Sequence, residues 1–180
     1  MKNIVVYYSQ KGSNKYLAEQ TAIAMNCEKR ELRPRVASFF FLLLASATKL
    51  SWGNRKIQEG WDKFDSVIIC GPIWMGQFIA PLYDFVKKYK TQIQKFHFIS
   101  CCGSTDGKSK DKFGYDLVFE KARELMGRKM GICKAFPIEL IVPDDKKNDD
   151  QAMMNMRLTS SNFYGPVKER FDTFINEIKN

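Results

Sequence analysis

The chain has 180 residues, of which 44% are apolar and 27% charged. That is the size and usage of one ordinary globular domain, so wholesale disorder is excluded. The formal charge of +9 attracts anions without choosing among a phosphorylated cofactor, an acidic protein, nucleic acid and an anionic membrane. The excess is uneven: residues 1–60 carry +6, residues 61–120 +1 and residues 121–180 +2. The five cysteines (Cys27, Cys70, Cys101, Cys102, Cys133) form no CxxC pair. They read as reduced and mostly buried, without a zinc framework, which suits a cytoplasmic protein. The longest largely apolar stretch, residues 36–47, falls well short of the roughly 20 residues of a spanning helix. A strand pattern begins almost at Met1, so no leader segment is expected.

Residues 4–8 are a continuous β-branched and aromatic run, the pattern of a strand buried on both faces. Residues 9–13 are a small polar loop. From Asn14 the pattern turns helical, with Leu17, Ala18, Thr21, Ala22 and Met25 on one face. Residues 27–32 predict a short polar second strand. Residues 66–71 predict a third strand, 72–78 a loop, and a helix follows with Pro81 in its first turn. Leu82, Phe85, Val86 and Tyr89 mark the inner face of that helix. Residues 96–101 predict a fourth strand, 103–112 a surface loop, 115–126 a helix and 134–142 a fifth strand, with Pro137 near its start. Residues 162–179 place Phe163, Val167, Phe171, Phe174, Ile175 and Ile178 on one helical face. This alternation predicts an α/β fold, a parallel doubly wound sheet. The whole chain, 1–180, reads as a single domain with an insertion at about 36–61, built around an apolar helix at 36–50.

Ligands of open α/β sheets bind beyond the carboxyl ends of the strands, and three loops leave such ends. Ser9-Gln10-Lys11-Gly12-Ser13-Asn14 joins a strand to a helix N-terminus. Free N–H groups, the hydroxyls of Ser9 and Ser13, the Asn14 amide and the charge of Lys11 could hold an anion there, and Gly12 would let the backbone approach. The same residues also suit an ordinary strand-to-helix turn with Ser and Asn as caps. Neither GxGxxG nor a Walker loop is present. In the second loop, Pro72, Ile73, Trp74 and Gly76 lie just past a strand, where an indole could stack on a planar ring or cover the core. In the third, Cys101, Cys102, Gly103 and Ser104 are small enough for the backbone to meet a ligand edge, or to form a tight turn only. Together the three loops make a slot for a phosphorylated planar cofactor.

At these residues the chain resembles the flavodoxin family. Ser9 to Asn14 aligns with the family's phosphate loop, approximately S/T-x-T-G-x-T, with lysine and asparagine where threonine is usual at Lys11 and Asn14. In Gly71-Pro72-Ile73-Trp74-Met75-Gly76 the last five residues fit the P-x-W-x-G part of the pattern G-x-P-x-W-x-G of short-chain relatives, and residues 100–103 match the T/S-x-G-G loop in part. The resemblance implies a three-layer, flavodoxin-like fold with a five-stranded parallel sheet in the order 2-1-3-4-5, and non-covalent FMN at the ends of the first and third strands. It implies that Ser9, Lys11, Gly12, Ser13 and Asn14 hold the ribityl phosphate. Pro72, Ile73, Trp74 and Gly76 would line the isoalloxazine, and Cys101, Cys102, Gly103 and Ser104 its pyrimidine edge. A second stacking aromatic could be Tyr115, Phe113 or a ring from the insertion. The function implied is redox: an electron carrier or a small quinone-type reductase, with a partner protein or a small acceptor such as a quinone.

The basic charge departs from the acidic surfaces of carrier flavodoxins. A flavin-free binding module on the same fold is the alternative, and nucleic-acid binding is not expected. The 36–50 helix, flanked by arginines and lysines, reads as a buried helix, a lid, a homodimer contact or a peripheral membrane contact. His97 reads as a core residue, so no hydrolase triad is available. The mixed-charge stretch 144–150 reads as a solvated loop. Met153, Met154 and Met156 read as packing residues or a soft partner surface.

Overall fold

The computed structural model describes residues 1–49, 52–57, 60–146 and 149–180. Parts of the expected insertion and apolar helix (50, 51, 58, 59) and of the acidic loop (147, 148) therefore lie outside the described residues.

Five parallel strands form the central sheet: β1 (Asn3–Tyr7), β2 (Glu28–Glu31), β3 (Ser66–Cys70), β6 (Lys95–Cys102) and β7 (Met130–Pro137). Their order is β2-β1-β3-β6-β7. Two further strands, β4 (Ile73–Trp74) and β5 (Gln77–Phe78), pair only with each other as a small antiparallel hairpin. Without that hairpin the order is the expected 2-1-3-4-5. Side chains alternate between the two faces with period two. Ile4 and Val6, Val67 and Ile69, and Phe96 and Phe98 enter one core with α3 (Ala80–Tyr89) and α4 (Tyr115–Met126). Val5, Ile68, Ile99 and Cys101 enter the other with α1 (Ser13–Ala24) and α6 (Pro166–Lys179). Helices thus cover both faces in three layers, as β-branched strands without a polar face require.

The structure corrects several element boundaries. The fifth main strand runs from Met130 to Pro137, not over 134–142, and the chain then turns through a 3-10 segment at Ile138–Leu140. Proline has no N–H to extend the ladder, so Pro137, paired with Cys102, is its last rung. Residues 73–78 were expected to be loop but contain the β4–β5 hairpin. Its two turn residues, Met75 and Gly76, have φ of 50° and 67°, the type I′ geometry that matches strand twist. The last helix begins at Pro166 rather than 162, because proline is favoured at a first helical position. A short helix, α5 (Asp150–Asn155), was not expected. The apolar helix is α2 (Phe39–Thr48), between β2 and β3.

His97 is a core residue, 1% exposed, and its Nδ1 accepts the Ile132 N–H at 3.1 Å. A Cβ at Gly131 would come within 2.7 Å of the imidazole, and the β6–β7 register shifts between Phe96 and Phe98. Burial, and then nearby Lys95, lower the His97 pKa from 6.5 to about 4. The unfolded chain therefore binds a proton that the folded chain does not. Stability is lost as pH falls from 6.5 towards 4, by about 3 kcal/mol from this group. Urea unfolding across that window is expected to show a steeper acid loss in the wild type than in His97→Phe.

Candidate functional site

The parallel strands send their chain out at one edge, and a cleft of about 520 Å³ opens there. That volume lies in the range of small-molecule sites. Ser9, Gln10, Lys11, Ser13 and Asn14 line it after β1, Pro72, Ile73 and Trp74 after β3, and Cys101, Cys102 and Gly103 at the end of β6. All three predicted loops therefore meet at one cavity.

Loop one is shaped by its own serine. Ser9 Oγ accepts the Gly12 N–H at 3.1 Å, and Gly12 sits at φ 98°, where a side chain would be strained. Gly12 does not itself line the cleft. The start of α1 has no side-chain cap, and its first internal bond is Tyr16 N–H to Gly12 O. The N–H groups of Ser13, Asn14 and Lys15 are thus the unpaired donors of a helix start. Asn14 is buried, and its side chain cross-links two of the loops. Its Nδ2 donates to Cys101 O at 2.9 Å and its Oδ1 accepts Cys101 N–H at 2.8 Å. The amide ties loop one to loop three at the wall of the cleft. Ser13 Oγ accepts Leu158 N–H at 3.1 Å.

Loop two is the hairpin. It presents Trp74 edge-on to Tyr8, at 6.2 Å between centroids, and to Phe39 of α2, at 5.0 Å. Gly76 does not line the cleft: it is buried under loop three, where a Cβ would lie 2.5 Å from Lys112 O. Ser104 also lies outside the lining, and its carbonyl accepts from Cys102 Sγ at 3.8 Å. Loop three is pinned from below. Asp106 accepts from Arg170 (3.0 and 2.5 Å) and from Tyr115 OH (2.7 Å), while its N–H donates to Glu139 at 2.6 Å. The Arg170 hydrogen bond holds the Asp106 carboxyl below its ordinary range, and burial followed by the Asp106 bond raises the Tyr115 hydroxyl. Tyr115 is therefore a strut, and Phe113 lies outside the cleft lining. The second aromatic at the cleft is Phe39 from the expected insertion.

Sequence reasoning missed one wall. Ile138 and the segment bearing Met153, Met154, Met156 and Arg157 close the cleft. The methionine cluster was the available signal, but spacing alone does not say what thioethers face. Arg157 supplies a cation, with its guanidinium donating to Met154 O at 2.7 Å. Burial pushes the Cys101 thiol up to about 12, partly offset by the Ser13 hydroxyl and by Arg157. Cys70 and Cys102 are raised too, again by burial first. The thiols at this edge are neutral at pH 7 and do not repel an anion. A smaller hollow of about 250 Å³ lies elsewhere, lined by Ser46, Phe78, Tyr83, Lys121 and Leu125 among others.

No family model and no curated protein matches the chain. Solved structures do match. A flavoprotein from Lactobacillus acidophilus NCFM, in complex with FMN, covers 74% of this chain and 91% of its own at 15% identity and a TM-score of 0.59. An NAD(P)H:quinone oxidoreductase from Methanothermobacter marburgensis covers 100% and 98% at 13% identity and a TM-score of 0.55. A flavodoxin from Streptococcus pneumoniae TIGR4 covers 99% and 98% at 11% identity and 0.52. The chain has the flavodoxin-like fold.

In this flavodoxin-like fold the cleft sits where the strand order reverses, between β1 and β3, the general ligand position of such sheets. Asn14 is the cross-link that holds two of its loops together. Replacing it by alanine leaves the buried Cys101 N–H and C=O without that partner. Asn14→Ala is expected to lower unfolding stability by about 2–4 kcal/mol, read from urea denaturation.

Proposed function

We propose that this chain binds FMN non-covalently in the cleft and serves as a redox protein. One observation carries the reading: a single cleft joins an anion-binding end to an aromatic end. The uncapped start of α1, Lys11 and Arg157 form the first, and Trp74 and Phe39 the second. The donor set fits a phosphate dianion, since it offers backbone N–H groups, a helix dipole and two cations, with no carboxylate in the lining among the described residues. The other end fits a flat heteroaromatic ring. A Cβ built at Gly103 would meet no atom within 4 Å, so a ligand edge has room at that backbone.

The flavin would supply the electron transfer itself. Lys11, Arg157 and the α1 N–H groups would orient the phosphate and fix its depth. Trp74, set by the hairpin turn and backed by Tyr8, would stack on the ring and exclude water. Trp74 and Phe39 meet edge to face, so a ring entering between them would have to part them. The methionine wall would shield the ring's remaining side with soft, polarisable atoms. The electron acceptor would be a partner protein or a small molecule such as a quinone. The Methanothermobacter neighbour, named as a quinone oxidoreductase, supports the second. A reductase would oxidise NAD(P)H with a quinone present, and a carrier would need a partner enzyme.

Titration of flavin fluorescence tests the assignment. FMN is expected to bind more tightly than riboflavin, which lacks the phosphate. Lys11→Glu is expected to weaken FMN while leaving riboflavin unchanged, and Trp74→Ala to weaken both by about tenfold. Equal affinity for the two flavins would remove the phosphate assignment. No binding of either, with no melting shift, would favour a flavin-free module.

A further inference from the structure

We propose that the exposed aromatic face of α2, with the basic hollow beside it, docks this protein on the surface of an anionic lipid bilayer. Phe40, Phe41 and Leu44 are 68%, 44% and 48% exposed, and Trp52, just past the helix, is 54% exposed. Of this ten-residue helix only Leu42, Ala45 and Ser46 are buried, so most of its apolar side chains serve no core. The exposed rings adjoin one another. Phe40 and Phe41, and Phe41 and Trp52, each lie 5.9 Å apart between centroids. A contiguous apolar patch of this kind marks an interaction surface, unlike single scattered residues.

Charge identifies what covers it. Trp52 also lines a hollow of about 310 Å³ whose walls include Arg35, Arg55 and Lys88, with Asp84 as its carboxylate among the described residues. The arginines are fixed by backbone pairing, with Arg35 N–H donating to Gly53 O at 3.0 Å and Arg55 N–H to Arg33 O at 2.7 Å. Asn54, in the same wall, has its Oδ1 buried without a hydrogen-bond partner. Phenylalanines beside a tryptophan and a group of cations reproduce the layering of a bilayer interface. Acyl chains take the phenyl rings, the indole sits at headgroup level, and lipid phosphates meet the guanidinium groups. A second copy of this chain would set the same cations against each other. Lipid phosphates complement them, as does a bilayer with the chain's +9 charge. No described helix is long and apolar enough to cross a membrane, so α2 would lie along the surface. The inference does not depend on the flavin.

Co-sedimentation of the full chain with vesicles tests it. The wild type is expected to sediment with phosphatidylcholine vesicles containing phosphatidylglycerol, less so at high salt, and not with phosphatidylcholine alone. Phe40→Ser combined with Trp52→Ser is expected to weaken binding about tenfold. Arg35→Glu and Arg55→Glu are each expected to weaken it about fivefold or more. The same charge reversals on α6, Lys168→Glu and Lys179→Glu, are expected to weaken it less, with circular dichroism checking that each variant folds. Three results would overturn the proposal: no phosphatidylglycerol-dependent sedimentation, an equal loss from the α6 variants, or a wild-type dimer that the Phe40 and Trp52 substitutions dissociate.

Discussion

Parallel pairing of strands buried on both faces is the constraint from which the rest follows. β1, β3 and β6 lie side by side with every ladder parallel, so the chain must leave all three at the same edge. Each strand carries apolar side chains on both faces, and helices must therefore cover both sides of the sheet. What remains exposed is the edge itself, where backbone turns back and donors are unpaired. A cleft at that edge between β1 and β3 is a consequence of the topology. Its chemical character is set by the few residues in the turns.

Those turns are held by long-range polar contacts. Asn14 joins loop one to the backbone of Cys101, 87 residues away in sequence. Arg170 on α6 and Tyr115 on α4 converge on Asp106 and fix the loop after β6. Gly76 lets the hairpin pack against the backbone of Lys112, which couples loop two to loop three. The cleft is therefore a braced site whose walls are fastened to the scaffold. Such bracing limits the reorganisation that binding requires, the condition for pre-organised recognition.

The sheet was legible because its strands are short β-branched runs separated by helical periods, and the polar β2 was legible as an edge. The end of β7 was misplaced because Ile138, Leu140, Ile141 and Val142 continue the apolar run past Pro137, and only the missing N–H marks the stop. The hairpin was hidden because Met75 adopts a positive φ that its own side chain does not favour. The three loops could be picked out by composition, yet the bond from Asn14 to Cys101 could not, since that partner is set by tertiary distance. Lys11, Trp74 and Gly103 reach the cleft, while Gly12, Gly76 and Ser104 shape the loops around it. The methionine wall and Arg157 come from a segment without strand or helix periodicity, so nothing local tied them to the cleft. Phe39 was anticipated only as some aromatic from the insertion.

The claim that three strand-end loops form one flavin site is tested most directly by backbone amide chemical-shift changes in the isotopically labelled protein as FMN is added. Saturable shifts centred on Lys11, Ser13, Trp74 and Gly103 are the predicted result. No shifts, or shifts centred on Lys121 and Tyr83 at the smaller hollow, would contradict it.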